Sequence, residues 1–364
     1  MTNKIRLGLI GASVKGTWSS RSHLPALQGR DDIELTAVCT TRSESAEAAR
    51  KAHGAKLAFH DFRTMIASDA INAVAVVVRV PSHYEPTKAA LEAGKHVYCE
   101  WPLGRTTGEA EELAALAKSK GLVTAIGLQA RVNPALMYMK ELIAGGYVGE
   151  VVAVHVKLMR EGVLSRPSNR VWQRDASLGA NTLTIANGHT IDAMRFAVGD
   201  FGSLSAIVTT QVGQWLDTGT QTLLDVTAPD NILLSGRLAN GAVISSHVNA
   251  IPYAGSGYRM EVYGRNGTLV ASGEDSPQLS EVFLHGAQGT NTLAPLPVPD
   301  RFTLTPPGLG GSEVSNVGQM YTLFSQAVQG GVSTHPDFDT AVGLHRLVDA
   351  IKRASDEGRV VTVA

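Results

Sequence analysis

Residues 4–130 alternate between short apolar runs and longer helical patterns, and this alternation limits the fold more than any other feature of the chain. Five runs are predicted as strands: 5–10, 33–40, 71–80, 96–100 and 123–129. Three helices are predicted between them: 43–54, 82–95 and 108–121. Parallel neighbours in a sheet need a long crossover connection, which a helix usually supplies. The alternation therefore predicts an α/β domain built on a doubly wound parallel sheet.

Local signals refine two of these elements. Ser43 is placed to cap the helix over 43–54, and Gly54 is placed to end it in the left-handed conformation. The run INAVAVVVRV (71–80) is nearly all apolar, as expected of a strand buried on both faces. Arg79 is unusual inside such a run, and we expect it to make a polar contact where the strand ends.

The second half of the chain has a different pattern. Asn240-Gly241 and Asn266-Gly267 each lie between two apolar runs, and Asn-Gly favours the type I′ turn of a β-hairpin. We expect a loop over 273–312, an amphipathic helix over 338–358 and an edge strand at the C-terminus. These patterns predict a Rossmann-type domain over residues 1–126. They predict a second, α+β domain over 127–364 with a large, mostly antiparallel open sheet.

Composition and charge exclude several classes of protein. The formal net charge is −1, which argues against a nucleic-acid partner, and the apolar fraction of 44% supports a packed core. The two cysteines, Cys39 and Cys99, suggest neither a disulfide framework nor a metal motif and favour a reducing compartment. The N-terminus lacks a signal-peptide pattern, and no apolar run reaches the ~18 residues of a membrane span. We expect a soluble, cytoplasmic protein.

The first predicted strand runs directly into a glycine pattern. Residues 11–16 read GASVKG, which is G-x-G-x-x-G with Ser13 at the middle glycine. Gly11 permits a tight turn and Gly16 close helix–strand packing, while the helix start offers amide N–H groups to a pyrophosphate. We therefore assign dinucleotide contacts to Gly11, Ser13, Val14, Lys15 and Gly16. An ordinary strand-to-helix turn, with Lys15 as a solvated lysine, is the alternative.

The end of the second strand indicates the cofactor. An acidic residue there binds the ribose hydroxyls of NAD, whereas a nearby arginine accommodates the 2′-phosphate of NADP. The stretch contains Thr40, Thr41 and Arg42, with no acid before Glu44. These residues favour NADP over NAD, although helix entry alone would also explain Arg42.

Several longer stretches carry a family resemblance. They are HLPAL (23–27), VPSHYEPTKAALEAGKHVYCEWPL (80–103), GLQARVNPAL (127–136), IAGGYVGEVVAV (143–154), GHTIDAM (188–194) and the C-terminal helix. The chain resembles the Gfo/Idh/MocA family of NAD(P)-dependent oxidoreductases over nearly its whole length. One branch is especially similar, and it includes the fungal galactose-regulon repressor as well as bacterial proteins that look like metabolic oxidoreductases.

The resemblance implies a fold and a chemistry. Family members join a Rossmann domain to an α/β domain, hold the nicotinamide in the cleft between them and act on sugars, polyols and related carbonyl compounds. A Glu-Lys-Pro motif supplies a lysine near the reacting oxygen, and a helix of the second domain supplies an aspartate and a histidine four residues apart. Further cofactor contacts are assigned to the ends of the later strands: Arg79, Pro81, His83, Glu100, Trp101 and Gln129.

This sequence departs from the family pattern at two positions. Glu100 and Pro102 match the Glu-Lys-Pro motif, but Trp101 replaces its lysine. His189 matches the family histidine, but Ile185 stands where the aspartate is usual. An indole nitrogen only donates, so Trp101 cannot act as a base. His189 is the candidate acid–base group, because an imidazole titrates near neutrality; a structural histidine is the alternative.

Each of the other candidates for the substrate pocket also has a structural explanation that needs no substrate. Trp101 is expected to be exposed in the cleft, where it could stack on the cofactor or substrate; packing is the alternative. Lys157 could replace the missing lysine, although a solvated strand lysine is favoured. Arg131 is expected to form an interdomain salt bridge, and Asp192 to be a structural partner. Trp172, with neighbouring Arg174 and Asp175, is a candidate for lining the pocket.

These observations predict an NAD(P)-dependent dehydrogenase or reductase. It would transfer hydride to or from a sugar, glycoside or similar cyclic carbinol. Close alignment of the carbon centres carries much of such chemistry, so a site with a single base can still work. The alternative is a catalytically silent NADP-binding sensor or transcription regulator that acts through protein contacts. The family's open sheet also implies a homodimer or homotetramer.

Overall fold

The computed structural model describes residues 4–305, 308–330 and 336–363. The chain divides into two compact units. The first comprises residues 1–129 and 304–343, and the second comprises residues 130–303 and 344–364. The predicted division at 126/127 falls three residues before the first boundary. It also placed all of 304–343 in the second domain, whereas this segment packs with the N-terminal residues.

The first unit contains a six-stranded parallel sheet, which confirms the predicted doubly wound fold. Its strands are β1 (Ile5–Ile10), β2 (Ile33–Cys39), β3 (Leu57–Phe59), β4 (Ala73–Val76), β5 (His96–Glu100) and β6 (Thr124–Gly127). The strand order is β3-β2-β1-β4-β5-β6. The order reverses between β1 and β4, and in such sheets the crevice at the reversal lies beyond the carboxyl ends of the strands.

Five short helices accompany these strands: α1 (Leu24–Leu27), α2 (Ser43–His53), α3 (Phe62–Ile66), α4 (Tyr84–Glu92) and α5 (Thr107–Ser119). A π-helical turn over Ser19–His23 precedes α1. Gly54 ends α2 with φ = 70°, as predicted. Ser43 does not cap α2, because the cap position is Arg42 and the Ser43 hydroxyl contacts His60 Nδ1 at 3.2 Å instead.

The predicted strand over 71–80 is too long. The strand ends at Val76, and Val80–Ser82 form a 3₁₀ turn that contains Pro81. Proline fixes its own φ near the helical value, which favours this turn. The strand itself ends opposite Ile10, the last residue of β1. Arg79 therefore lies on an exposed loop after the strand and not inside it.

The second unit contains a nine-stranded sheet and a three-stranded sheet. Their strands are β7 (Val151–Glu161), β8 (Ser165–Arg166), β9 (Phe201–Thr209), β10 (Gln214–Asp217), β11 (Thr222–Asp225), β12 (Asn231–Leu238), β13 (Val243–Ile251), β14 (Gly257–Gly264), β15 (Gly267–Gly273), β16 (Phe283–Gln288), β17 (Ala294–Pro295) and β18 (Val361–Thr362). The large sheet has the order β17-β16-β15-β14-β7-β13-β12-β9-β18. All its neighbours are antiparallel except β7 and β13, which confirms a mostly antiparallel sheet with β18 at an edge.

Both predicted hairpins form, but not with the predicted turns. Gly241 has φ = +91°, yet Asn240 does not have a positive φ, whereas a type I′ turn needs one at both central residues.

The stretch predicted as a loop over 273–312 also contains two strands, β16 and β17. In β16 Leu284 and Gly286 are buried while Phe283 is exposed, and the residue types of FLHGAQ do not themselves alternate between apolar and polar.

Two helices cover one face of the large sheet. They are α6 (Pro134–Ala144), which contacts β15 and β16, and α7 (Gly188–Val198), which contacts β7. Val154, Val156 and Leu158 of β7 are buried on this side. The opposite side, called the open face below, carries a cross-strand row of side chains: Ile207, Leu233, His247, Lys157 and Arg259.

Two long helices, α8 (Ser312–Val328) and α9 (Phe338–Glu357), precede β18. Within the first unit, α8 packs against the π-helical turn, α1 and β6. The predicted apolar face of α9 is confirmed, because its periodic residues are buried: Ala341, Leu344, Leu347, Val348 and Ile351. In the described ranges no helix has the length and hydropathy needed to cross a bilayer.

Candidate functional site

The glycine turn after β1 requires glycine at its first position. Gly11 has φ = +93°, and a Cβ added there would lie 2.1 Å from the Val77 carbonyl oxygen. Gly16 has φ = +78° but open space around it, so its conformation and not crowding favours glycine. The Ser19 hydroxyl donates to the Gly11 carbonyl at 2.7 Å and fixes the turn. The turn thus brings backbone close to backbone at the end of β1.

Residues 13–16 of this turn present unpaired amides. None of the N–H groups of residues 13–16 donates a hydrogen bond within the described part of the chain. The Ser13 hydroxyl turns back to the Lys15 carbonyl oxygen at 3.1 Å, so it is held by its own loop. Successive free amides in a turn form an anion-binding concavity. The geometry fits a pyrophosphate, although the helix begins only after this loop and not within it.

The end of β2 presents a free cation. The Thr40 hydroxyl donates to the Arg42 carbonyl oxygen at 3.0 Å and contacts the Ser45 hydroxyl at 2.6 Å, which fixes the entry into α2. The Arg42 guanidinium is exposed and makes no ion pair or hydrogen bond with any residue that the structure describes. A cation held beside the strand end without a protein partner is suited to a phosphate.

A polar network surrounds the carboxylate at the end of β5. Glu100 Oε1 lies 2.9 Å from His23 Nε2, and Gln129 Nε2 lies 2.9 and 3.0 Å from its two carboxylate oxygens. The other nitrogen of His23, Nδ1, contacts the Tyr321 hydroxyl at 2.8 Å. Tyr321 stacks on Tyr98 with ring centroids 5.1 Å apart, and burial raises the pKa of both phenols well above 10. Glu100 and Gln129 are therefore held rigidly within the first unit.

The Trp101 ring does not have the predicted exposure. Only 5% of the residue is accessible, and the Trp101–Pro102 peptide bond is cis. His83 is buried below this segment, with Nδ1 2.6 Å from the Pro102 carbonyl oxygen and Nε2 3.0 Å from that of Val78. Burial lowers the pKa of His83, against the opposing effect of the two carbonyls. His83 thus joins two loops that follow the strands, which is a structural role.

His189 lies in the first turn of α7, directly after a π-helical segment over Thr182–Asn187. Asn181 begins this segment with a reciprocal capping box that involves Thr184. The Thr190 hydroxyl donates to the Ala186 carbonyl oxygen at 2.7 Å across the junction. π-Helical turns inside helices are frequent at functional sites because they redirect side chains. Here the segment places Ile185 and buried His189 on successive turns.

Asp192 is fully committed to Arg131. The guanidinium forms a bidentate pair with it, with Nε–Oδ2 at 2.8 Å and Nη2–Oδ1 at 2.7 Å. Asp192 is buried, and the Arg131 side chain is four-fifths buried. Both residues belong to the second unit, so this ion pair does not join the two units. The expected structural role for Asp192 is supported.

One pocket of the second unit contains Ile185. Arg160, Arg166, Arg170 and Trp215 line it together with this isoleucine. Of the segment that was predicted to contribute, Arg170 and Gln173 line the pocket, whereas Trp172, Arg174 and Asp175 do not. Lys157 lies on the open face, whereas Val156 and Leu158 point to the opposite side of β7, which α7 contacts. Lys157 therefore does not take the place of the missing lysine beside His189.

Sequence reasoning missed three residues of these sites. His23 stood in the quoted HLPAL stretch, and its contact with Glu100 depends on the packing of the π-helical turn. Arg166 and Trp215 lie on β8 and β10, which pair in parallel across a long separation in sequence. No local pattern indicated that pairing. Within the described ranges, no group of three or more potential ligands is placed to hold a metal ion.

Comparisons with known proteins agree with this architecture. Dehydrogenase aclE of Aspergillus oryzae is 34% identical over 212 residues, which cover 57% of this chain and 58% of that protein. Levoglucosan dehydrogenase of Pseudarthrobacter phenanthrenivorans is 26% identical over 376 residues, covering 95% of each chain. A super-repressor mutant of Gal80p from Saccharomyces cerevisiae superposes with a TM-score of 0.88 at 22% identity, over 99% of this chain and 98% of that one, and thus shares the fold.

Two sequence models of one family match nearly the whole chain. The model described as an oxidoreductase NAD-binding Rossmann fold matches residues 5–128. The model described as the oxidoreductase C-terminal alpha/beta domain matches residues 140–363. The glycine turn, the Glu100–Pro102 segment and the helix that carries His189 all lie inside these ranges. The protein therefore belongs to the Gfo/Idh/MocA family of oxidoreductases.

Proposed function

We propose that the protein is an NAD(P)-dependent dehydrogenase or reductase that acts on a CH–OH group of a sugar, a glycoside or a similar cyclic carbinol. The observation that carries the proposal is the glycine turn with its four free amides, in a chain that belongs to an oxidoreductase family. Two relatives with dehydrogenase names support the same class of reaction.

A bound nicotinamide supplies the hydride acceptor or donor at carbon. The residues of the chain would bind and orient the cofactor and the substrate, and one of them would move the proton. Gly11 and residues 13–16 would hold the pyrophosphate, and Arg42 would hold the adenosine end. In carbinol oxidation the C–H bond breaks with its electron pair while the hydroxyl loses a proton. We assign that proton to His189, because the usual lysine and aspartate are Trp101 and Ile185 in this chain.

The Arg42 guanidinium indicates NADP as the favoured cofactor. We expect Arg42→Ala to raise the KM for NADP roughly 10- to 100-fold, as for the loss of a charge-assisted hydrogen bond to phosphate. The KM for NAD should change less than about 2-fold, because NAD has no 2′-phosphate. Steady-state kinetics or isothermal titration with both cofactors measures this. Lys51→Ala, an exposed cation on the same helix, is the matched control. Equal effects on both cofactors would refute the assignment.

The proposed activity is tested by a turnover screen. Purified protein is incubated with NADP or NAD and a panel of sugars, glycosides and cyclic polyols, and the absorbance of the reduced cofactor is followed. Turnover on at least one compound is expected. Tight binding of NADP, no turnover across the panel in either direction and capture of a protein partner would together refute an enzyme.

A regulator without turnover is the second candidate. Two of the three polar groups that the family uses for proton transfer are replaced, at Trp101 and Ile185. A sensor of this kind would keep the glycine turn and Arg42, since it must still bind the nucleotide. It would not need His189, so substitution of that histidine distinguishes the two candidates.

We further propose that the open face joins copies of the chain into a homo-oligomer. Leu233 is 41% exposed between Ile207 and His247 in this row, and polar residues such as His155 and Ser245 line the same face. Leu233→Asp should shift the mass in light scattering toward the monomer, because a buried carboxylate would face its copy. Leu223, 61% exposed on β11, provides the control Leu223→Asp. A wild-type protein that is monomeric at micromolar concentration would refute the proposal.

A further inference from the structure

We propose that the pocket of the second unit which contains Ile185 binds the anionic group, a carboxylate or a phosphate, of a polyhydroxylated substrate. This inference rests on the proposed function, since it names the class of substrate for that enzyme. It is carried by the charges, the free donors and the burial of the residues that line the pocket.

The pocket is strongly basic. Arg160, Arg166 and Arg170 line it, and no aspartate or glutamate is among the described residues that do so. Arg160 is balanced by Asp275, with Nε–Oδ1 at 2.5 Å. Arg166 forms no ion pair with any carboxylate in the described ranges. The pocket therefore keeps excess positive charge around Arg166.

The Arg166 side chain is fixed in place, but not all of its N–H donors are used. Its Nη1 donates to the carbonyl oxygens of Gly162 and, at 2.9 Å, Ser165. Its guanidinium lies over the Trp215 ring, 4.7 Å from the centroid. Neither Nε nor Nη2 has a hydrogen-bond partner in the part of the chain that the structure describes. The side chain is thus held by one nitrogen and by the indole, with donors left over.

Other donors of the pocket also lack acceptors. Trp215 is 6% exposed, and its indole Nε1 has no acceptor among the described residues. Asn181 uses its Oδ1 to accept from Leu183 N at 3.0 Å, which leaves its amide nitrogen without a partner in the described chain. A set of donors without acceptors matches a ligand that only accepts, such as a carboxylate or a phosphate.

Burial makes the unbalanced guanidinium costly without a ligand. Desolvation, together with the charges of Arg170 and Arg160, lowers the pKa of Arg166 to about 10. Removing a charge from water costs free energy unless a partner of opposite sign compensates. A bound anion would supply that partner between Arg166 and Arg170. Because Ile185 and Ala186 line the pocket one turn before His189, the rest of the substrate would extend toward that helix.

The experiment compares matched compounds that differ only in charge. D-Glucose, D-glucuronate and D-glucose 6-phosphate, and their galactose counterparts, are tested for turnover with NADP. The shift in melting temperature that each compound causes is measured in parallel, and this readout does not depend on turnover. The glucuronate and phosphate arms distinguish the two sources of the anionic group. Arg166→Gln, Trp215→Phe and the exposed control Arg237→Gln are assayed beside the wild type.

We expect an anionic compound to have a KM at least about 10-fold below that of its neutral counterpart. Arg166→Gln should raise that KM roughly 10- to 100-fold, and Trp215→Phe a few-fold, while Arg237→Gln should leave it unchanged. Arg166→Lys should recover part of the loss, which controls for misfolding. Turnover of neutral compounds with no preference for charge would refute the anion pocket and leave the proposed function standing. Stabilisation by anions that depends on Arg166, without turnover, would refute the function and support the pocket. If neither turnover nor stabilisation by anions is observed, both the anion pocket and the proposed function are refuted.

Discussion

Replacing His189 with alanine is expected to lower kcat about 10²- to 10⁴-fold, which is the usual contribution of one positioned acid–base group. The effect should be large because Trp101 and Ile185 cannot relay a proton in place of the usual lysine and aspartate. Asp192, three residues further on, is committed to Arg131 and is not available as a substitute. Steady-state kinetics on a substrate from the turnover screen measures the loss.

Two controls separate proton transfer from structural damage. Added imidazole should restore part of the rate of His189→Ala, since a merely structural histidine would not respond to a free base. His285→Ala, on β16 of the same unit, should leave kcat unchanged. An unchanged kcat in His189→Ala would assign the proton to another group or to water.

Replacing Asp192 with alanine is expected to reduce the free energy of unfolding by about 3–5 kcal/mol. The substitution leaves the guanidinium of Arg131 largely buried, without the carboxylate that makes two hydrogen bonds to it. The pair also links the segment after β6 to α7, so its loss should loosen the helix that carries His189. Denaturant unfolding followed by circular dichroism measures the change.

The matched control is an ion pair at the surface. Lys352 and Asp356 pair on α9 with both side chains about half exposed, and Asp356→Ala should cause no measurable change. The double variant Arg131→Met/Asp192→Leu should recover most of the loss, because it removes both buried charges together. A small effect of Asp192→Ala would show that water compensates Arg131.

The parallel sheet could be predicted because its strands are buried on both faces and its first turn needs Gly11. The same reasoning placed β1 and β5 at their observed bounds. It missed β3, which has three residues and exposes Leu57. It overextended β4, because that strand ends at Val76, opposite the last residue of β1, and apolar content alone does not reveal where a partner strand ends.

The candidate site could be predicted only where local sequence fixes geometry. The glycine turn and Arg42 depend on neighbours in the chain, so their positions followed from the pattern. The burial of Trp101 depends on how the segment around Pro102 folds onto His83, and a linear pattern does not carry that information. The meeting of Arg166 and Trp215 depends on two strands that pair across a long separation in sequence.

Transfer of deuterium from the cofactor to a product tests the central claim most directly. The protein is incubated with reduced NADP deuterated at either face of nicotinamide C4 and with the oxidised form of a compound from the screen. We predict one deuterium on carbon in the reduced product by mass spectrometry, from one of the two labelled faces, and a strongly reduced yield in His189→Ala. Retention of all deuterium in the cofactor, with every compound and both faces, would contradict the account and support a nucleotide-binding regulator.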